Sequence, residues 1–540
     1  MKLNAILVIL GLLIASTLAN CSPQSADSSA PTSEKNDDDT GISTEDYPAL
    51  PIFPKSPPPG TLEVYDTRYD SLEMKLLLIS LQGVVNRTQP RIFLITADAE
   101  VFWLNEAKTT FSLTTEDVTD PWELVEQFKD EIDGAVVYDP DLIQSVNVAT
   151  TFAGLNNALV AHPSLVSQIE QHGISVIKDL RGQFDDNVEM YRWAFEKLWP
   201  SCHHRILAFL NAETPTLRDY LVAHRIFTLQ LDFHRPKERE LLEEILDKTP
   251  RNIPVLGWVI DELIGVATLS KYGKFLTASD NSPNLSVYSG LELEKPGYDE
   301  PPDIPEPENI IYVGFAYTDA DNLAYVQGSM LTQWLDPARG TVPLGWSFNA
   351  AARDLAPHLV AYYQRTKTEQ DVLIGPPSGI GYMYPNLYPD LDTFLKITKP
   401  YFEWSGFRTI WLINNDLTLS DKIVTAYTKY LALDGIFIDY WPNGDRGFHF
   451  ASDGTPVLRS WYVYLLGPEQ ISDILADAAV AKEYFYPDSP FFVFIGVNAW
   501  ITPPSYIADI ANGLDERYQV VRPDVMFGLM KKAHEQGWIE

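Results

Sequence analysis

Cysteine is almost missing from this chain: Cys21 and Cys202 are the only two in 540 residues. A disulfide-stapled fold is excluded, and so is a zinc site built from cysteine and histidine, which would lack ligands. His203 and His204 beside Cys202 read as surface residues ahead of a strand. Positive charge is scarce as well, with 40 Lys and Arg against 74 Asp and Glu and a net charge of −34. Nucleic acid is therefore excluded as a partner, because its phosphates would be repelled. Neutral and basic partners stay open. Long apolar runs are absent beyond the N-terminus, so no membrane-spanning helix is expected in the body.

The one apolar run is short. Lys2 precedes Ile6 to Ile14, the pattern of a secretion signal over residues 1–20. Leu18-Ala19-Asn20-Cys21 resembles a bacterial lipobox, with Cys21 as acylated first mature residue and lipid anchor. The expected location is therefore exported and lipid-anchored to a bacterial membrane. Ser22 fits sorting to the outer membrane or cell surface if the host is Gram-negative. Residues 21–46 are Ser, Asp, Thr and Pro with little apolar content, the composition of a disordered tether.

The rest divides at residues 291–308, where five prolines and a run of acids exclude helix or central strand and mark a linker. Residues 47–290 alternate apolar strands with helical patterns. Candidate strands are 91–96, 134–138, 174–177, 205–210, 227–231 and 255–260. Candidate helices are 72–85, 121–129 and 217–224. This is an α/β region, either one doubly wound unit or several small ones. Residues 309–540 are more regular. Strand-like runs begin near Ile310, Val342, Val372, Arg408, Gly435, Val457, Phe491 and Gln519. Helical patterns at 323–335, 350–366, 391–404, 420–431, 470–484, 505–516 and 524–535 fill the gaps. Seven or eight such units predict a (β/α)7–8 barrel, with an open doubly wound sheet as the alternative.

In a barrel, reactive side chains project from the C-terminal ends of strands. Those ends carry Asp319, Asp321 and Asn322; Trp346 and Asn349; Asn414 to Asp416; Asp439 and Trp441; and Asn498 and Trp500. The third end carries Gly379-Ile380-Gly381-Tyr382-Met383-Tyr384-Pro385. Its two glycines permit unusual backbone, and Tyr382 and Tyr384 offer flat apolar faces with polar tips, a pairing suited to a sugar ring. Asp319, Asp321 and Asp439 are the candidate catalytic acids, since glycosidic hydrolysis uses two carboxyl groups. Asn322, Trp346, Asn349, Tyr382, Tyr384, Trp441, Asn498 and Trp500 are the candidate substrate contacts. Trp258, Asp261 and Glu262 could also face the cleft, although local packing and a helix cap are the preferred reading for them. No cofactor is called for and no metal ligands are assigned, although the acids with their asparagine neighbours could hold a divalent cation.

The run Gly379–Pro385 matches at every fixed position the motif that names the GxGYxYP family. Asp319-Ala320-Asp321-Asn322 resembles that family's Asp-Gly-Asp-Asn turn, and Gly345-Trp346-Ser347-Phe348-Asn349 its Trp-Ser-x-Asn segment. Arg522-Pro523-Asp524 fits too. Upstream, Leu81–Arg87, Gly257–Glu262 and Asn284–Val287 resemble its N-terminal segments, so the likeness covers nearly all of residues 60–535. The resemblance implies an α/β N-terminal region, a C-terminal barrel and glycoside hydrolysis. It brings no catalytic pair with it. Two other readings are a glycan-binding lipoprotein without turnover and a metal-dependent carbohydrate hydrolase.

Overall fold

The computed structural model describes residues 51–296, 302–416, 419–438, 447–460 and 470–539. The expected signal, tether and lipid-bearing Cys21, part of the 291–308 linker, and Asp439 and Trp441 lie outside the described residues.

The N-terminal alternation is drawn into three small sheets, all parallel. In the first, β1 (Leu62–Asp66) lies between β2 (Ile92–Ile95) and β3 (Thr115–Val118). In the second, β4 (Gly134–Val137) lies between β5 (Ala158–Ala161) and β6 (Val176–Asp179). The third comprises β7 (Leu207–Phe209), β8 (Phe227–Leu229), β9 (Ile253–Gly257) and β10 (Lys274–Ala278), in the order β10-β9-β7-β8. A strand buried on both faces reads as a continuous apolar run, which is why most of these were foreseen. Strands β1, β3, β5 and β10 were not, and β10 opens on a lysine. Lys274 is fully buried, and its ammonium donates to the carbonyls of Leu246, Thr249 and Tyr272 at 3.0–3.2 Å.

Buried polar side chains fasten these units together. Helix Leu72–Asn86 sends Gln82 to Asn284 Oδ1 (2.6 Å) and Asn86 to Ser286 Oγ (2.9 Å). Asn284 in turn exchanges two hydrogen bonds with the backbone of Leu94. Two of the segments that resemble the family's N-terminal region are thus partners in one lock. Arg218 ties the second sheet's helix to the third. It is 1 % exposed and donates to Asn147, Thr150 and the carbonyls of Asn211, Ala212 and Thr214. Burial pulls its guanidinium down to about 9.

The C-terminal half forms a (β/α) barrel. Its strands are β11 (Ile311–Tyr317), β12 (Leu344–Ser347), β13 (Asp371–Ile374), β14 (Thr409–Leu412), β15 (Gly435–Ile438), β16 (Phe448–Phe450), β17 (Pro456–Arg459), β18 (Phe491–Val497) and β19 (Tyr518–Val520). Parallel ladders join β13-β12-β11-β18 and β14-β15-β17, and the parallel bridges Gly375–Ile410 and Ser460–Phe494 close these into one ring. The open sheet is therefore not adopted. Each expected strand start has a strand, but the last does not complete the circle where an eighth would. Strand β18 pairs directly with β11, and β19 pairs the first three residues of β11. Strand β16 is an added antiparallel neighbour of β17.

Large rings fill the barrel. Phe437 and Phe494 stack at 3.8 Å, flanked by Trp411 and by Phe527 of helix Pro523–Glu535. Glycine lets that helix come close: a Cβ at Gly435 would lie 2.2 Å from Phe527. With the interior packed, the room for chemistry is at the opposite, C-terminal ends of the strands. Two expected helices are each split there. The first breaks at Gly328, and the second breaks before Pro357, which cannot continue it.

Candidate active site at the barrel mouth

The turn after β11 is held from β12. Asp319 takes a left-handed backbone (φ +63), a conformation aspartate tolerates better than most residues. Asn322 N donates back to Asp319 O at 3.0 Å, and Ala320 N donates to Ser347 Oγ at 3.2 Å. The side chain of Asn349 donates to Asp321 O, and its Oδ1 accepts from Ala351 N (2.8 Å). Alanine in place of the family's glycine is accommodated because Asp319, not Ala320, carries the positive φ.

Asp321 is half-buried in this turn. Burial raises its carboxyl well above the usual carboxylate range, and the charges of Asp319 and Glu262 raise it further. Two hydroxyls nearby, Thr318 Oγ1 and Tyr325 Oη, are buried and find no hydrogen-bond partner among the described residues. Tyr325 feels the charge of Asp319 and meets Trp500 edge-on at 5.1 Å.

Glu262 reaches this mouth from the third N-terminal sheet. Asp261 caps helix Glu262–Lys271 by accepting from Ile264 N (3.0 Å) and also contacts His234 Nε2 (3.3 Å). The expected cap role thus falls to Asp261. The Glu262 carboxylate instead accepts from Tyr382 Oη at 3.0 Å. Burial and Asp261 raise Glu262, while the tyrosine's hydrogen bond opposes the rise.

That tyrosine belongs to the glycine–tyrosine run, and the structure corrects the role expected of it. Tyr382 and Tyr384 are 4 % and 1 % exposed, so neither ring offers a face to a sugar. Tyr382 instead pairs with β10, exchanging Leu276 N to Tyr382 O (2.9 Å) and Tyr382 N to Leu276 O (2.7 Å). Tyr384 N donates to Ser270 Oγ at 2.9 Å. Gly381 is required by this docking, since a Cβ there would sit 2.6 Å from the Phe275 ring and 2.8 Å from Leu276 O. Gly381→Ala is expected to cost about 1–3 kcal/mol by overpacking, read as a lower urea midpoint at unchanged slope.

Trp346 is a second correction. It is fully buried, stacks on Tyr317 at 4.4 Å and donates Nε1 to Asp371 Oδ1 at 2.9 Å, which makes it core. Asn322 caps helix Leu323–Gln327, its Oδ1 accepting from Ala324 N and Tyr325 N (2.9 and 3.3 Å), whereas Asn349 braces the turn ahead of the next helix. Asn498 shapes the loop after β18 by accepting from Trp500 N at 3.0 Å. Among the described candidate rings, Trp500 alone keeps open surface, at 43 %. Asp321 thus feels the charges of Asp319 and Glu262, and Trp500 meets Tyr325, which feels Asp319. Tyr325 was missed, as nothing in its sequence setting marks it apart from core tyrosines. Among the described residues no group of three Asp, Glu, His or Cys is arranged to hold a metal ion.

These features define an α/β protein with a C-terminal (β/α) barrel whose mouth is faced by a glutamate from the N-terminal half. Residues 309–531 match the profile described as "GxGYxYP putative glycoside hydrolase C-terminal domain". Residues 61–130, 132–202 and 204–290 match the family's first, second and third N-terminal domains. The chain belongs to the GxGYxYP family. Its fold is similar to the crystal structure of a "putative hydrolase" from Bacteroides thetaiotaomicron VPI-5482, with a TM-score of 0.80, 22% identity, and coverage of 89% of this chain and 97% of that one. A search of curated proteins gave no match.

Proposed function

We propose that this protein hydrolyses glycosidic bonds at the barrel mouth. The observation that carries the reading is the enclosed Asp321 carboxyl beside two further acids, Asp319 and Glu262. A carboxyl whose hold on its proton is strengthened by burial and neighbouring acids can serve as the donor to the leaving glycosidic oxygen. The sugar–oxygen bond then breaks as water adds to the anomeric carbon, and a second carboxylate takes the water's proton. Glu262 is the fitting acceptor, because it comes from a separate element and can approach the sugar from a different side than Asp321. Asp319 sustains the proton on Asp321 by its charge. Trp500 supplies a ring on which a sugar can lie. Asp439 is not needed for this scheme.

Release of reducing ends from a panel of soluble polysaccharides tests the proposal. Glu262→Gln should lower turnover about 10²–10⁴-fold, the usual worth of a general acid or base, with little change in substrate binding. Full turnover in this variant, or none by the unaltered protein on any glycan, would refute the reading. The N-terminal sequence further suggests export on a lipid carried by Cys21. Incorporation of labelled fatty acid that vanishes in Cys21→Ser is the check.

A further inference from the structure

We infer that His358 is an acid-sensitive latch between the barrel and the N-terminal half: neutral, it lets the seam between them close, and protonated, it drives the seam open. The inference concerns how the two halves hold together, so it stands whatever reaction the barrel mouth performs.

Helix Pro357–Thr366 of the barrel lies against helix Asp98–Phe111 of the first N-terminal unit. Rings close the contact: Phe102 and Trp103 each meet Tyr362 edge-on at 5.3 Å. Trp103 Nε1 donates across the seam to Gln327 O at 2.6 Å, and Arg365 pairs with Glu106 at 2.5 Å. His358 is 2 % exposed at this junction. Its imidazole stacks on Tyr288, from the segment after the third sheet, with centroids 3.6 Å apart and 19° between planes. It also meets Trp103 edge-on at 5.4 Å. Neither ring nitrogen has a hydrogen-bond partner among the described residues, and Tyr288 Oη and both ends of the Gln327 side-chain amide are buried without one as well. The closed seam is thus held by ring packing and leaves polar atoms unmatched that water would satisfy on opening.

A proton on His358 tips that balance. An imidazolium has two N–H donors and finds no acceptor here, and the face of Tyr288 offers a cation less than the water it has left. Among the described residues no carboxylate contacts the ring, and the acids of the neighbouring elements are engaged elsewhere. Glu100 accepts from Thr96 N, Thr96 Oγ1 and Ala97 N. Glu106 is paired with Arg365, and Asp354 accepts from Tyr401 Oη and faces Arg353. Asp98 and Lys108 are exposed, and the segments Leu285–Tyr288 and Leu323–Gln327 carry no charge. Burial holds the imidazole well below its ordinary value of 6.5. The closed seam therefore takes up this proton less readily than the open one. Closure is fully present above about pH 6.5 and is lost as pH falls below it.

Hydrogen exchange on the full chain, compared between about pH 7.5 and about pH 5 and corrected for the intrinsic rate, tests the latch. Opening at residues 98–111 and 357–366 should rise about thirtyfold toward the lower pH, the change given by one histidine of ordinary affinity in the open state. Helix Asn187–Lys197 of the second unit is the control and should change less than about threefold. His358→Leu and His358→Phe keep an apolar filling with no site for the proton, so in both the seam should stay equally closed at the two pH values. If neither variant folds, the contrast between seam and control helix in the parent decides. A seam indifferent to acid in the parent, loosening shared equally by helix Asn187–Lys197, or loosening that persists in either folded variant would overturn the inference.

Discussion

Replacing Asp321 by asparagine should lower turnover about 10²–10⁴-fold and at the same time make the fold more stable at pH 7. The two effects have one origin. Burial, Asp319 and Glu262 raise the folded-state carboxyl well above its value in the unfolded chain. Between those two values the folded state binds more proton than the unfolded state. Stability therefore falls as pH rises through that window, with the loss beginning near the ordinary aspartate value of about 3.9. Asparagine has nothing to titrate and removes this slope. The melting temperature of Asp321→Asn should exceed that of the parent by about 2–5 °C at pH 7 and match it more closely near pH 4. Scanning calorimetry across that range decides the matter. A variant that is less stable at pH 7 would show that the carboxylate is wanted by the fold, and Asp321 would cease to be the donor.

Gly257→Ala should be the most damaging single methyl in the N-terminal half. Gly257 ends β9 at φ +94, and a Cβ there would lie 1.9 Å from the carbonyl oxygen of Phe209. That oxygen already accepts from Trp258 N at 2.9 Å, and Gly257 N donates to Ser279 Oγ at 3.0 Å. No rotamer change relieves a clash with backbone, so β7 and β9 must part. Left-handed strain of about 1–2 kcal/mol and overpacking of about 1–3 kcal/mol together predict a loss of about 2–5 kcal/mol, measurable by urea unfolding. The displaced loop leads directly to Asp261 and Glu262, so turnover should fall as well, even at temperatures where the variant stays folded. A variant as stable and active as the parent would show that this corner is plastic and does not position Glu262.

The barrel was legible because its strands are buried on both faces and read as apolar runs at regular spacing. Phe491–Val497 and Gly435–Ile438 are such runs. The displaced β19 was legible as a strand but not in its pairing, because nothing in Tyr518–Val520 states which edge is open to it. At the mouth, the turn Asp319–Asn322 could be read from its place after a strand. The tyrosines could not be read the same way. A ring suited to sugar is equally suited to protein, and the cover over Tyr382 comes from β10, far away in sequence. Glu262 illustrates the same limit: a helix-opening Asp-Glu pair looks like a cap, and only the approach of Tyr382 separates the member that caps from the one that faces the cleft.

The docking of Tyr382 on β10 has a practical consequence. A fragment starting at residue 309 would bare an unmatched backbone edge and two tyrosines meant for the interior, and it would lack one of its three acids. Screens that use the barrel by itself should return silence whatever sugar is offered. The signature heptapeptide, tempting as a marker of chemistry, marks the place where the two halves of the chain depend on each other.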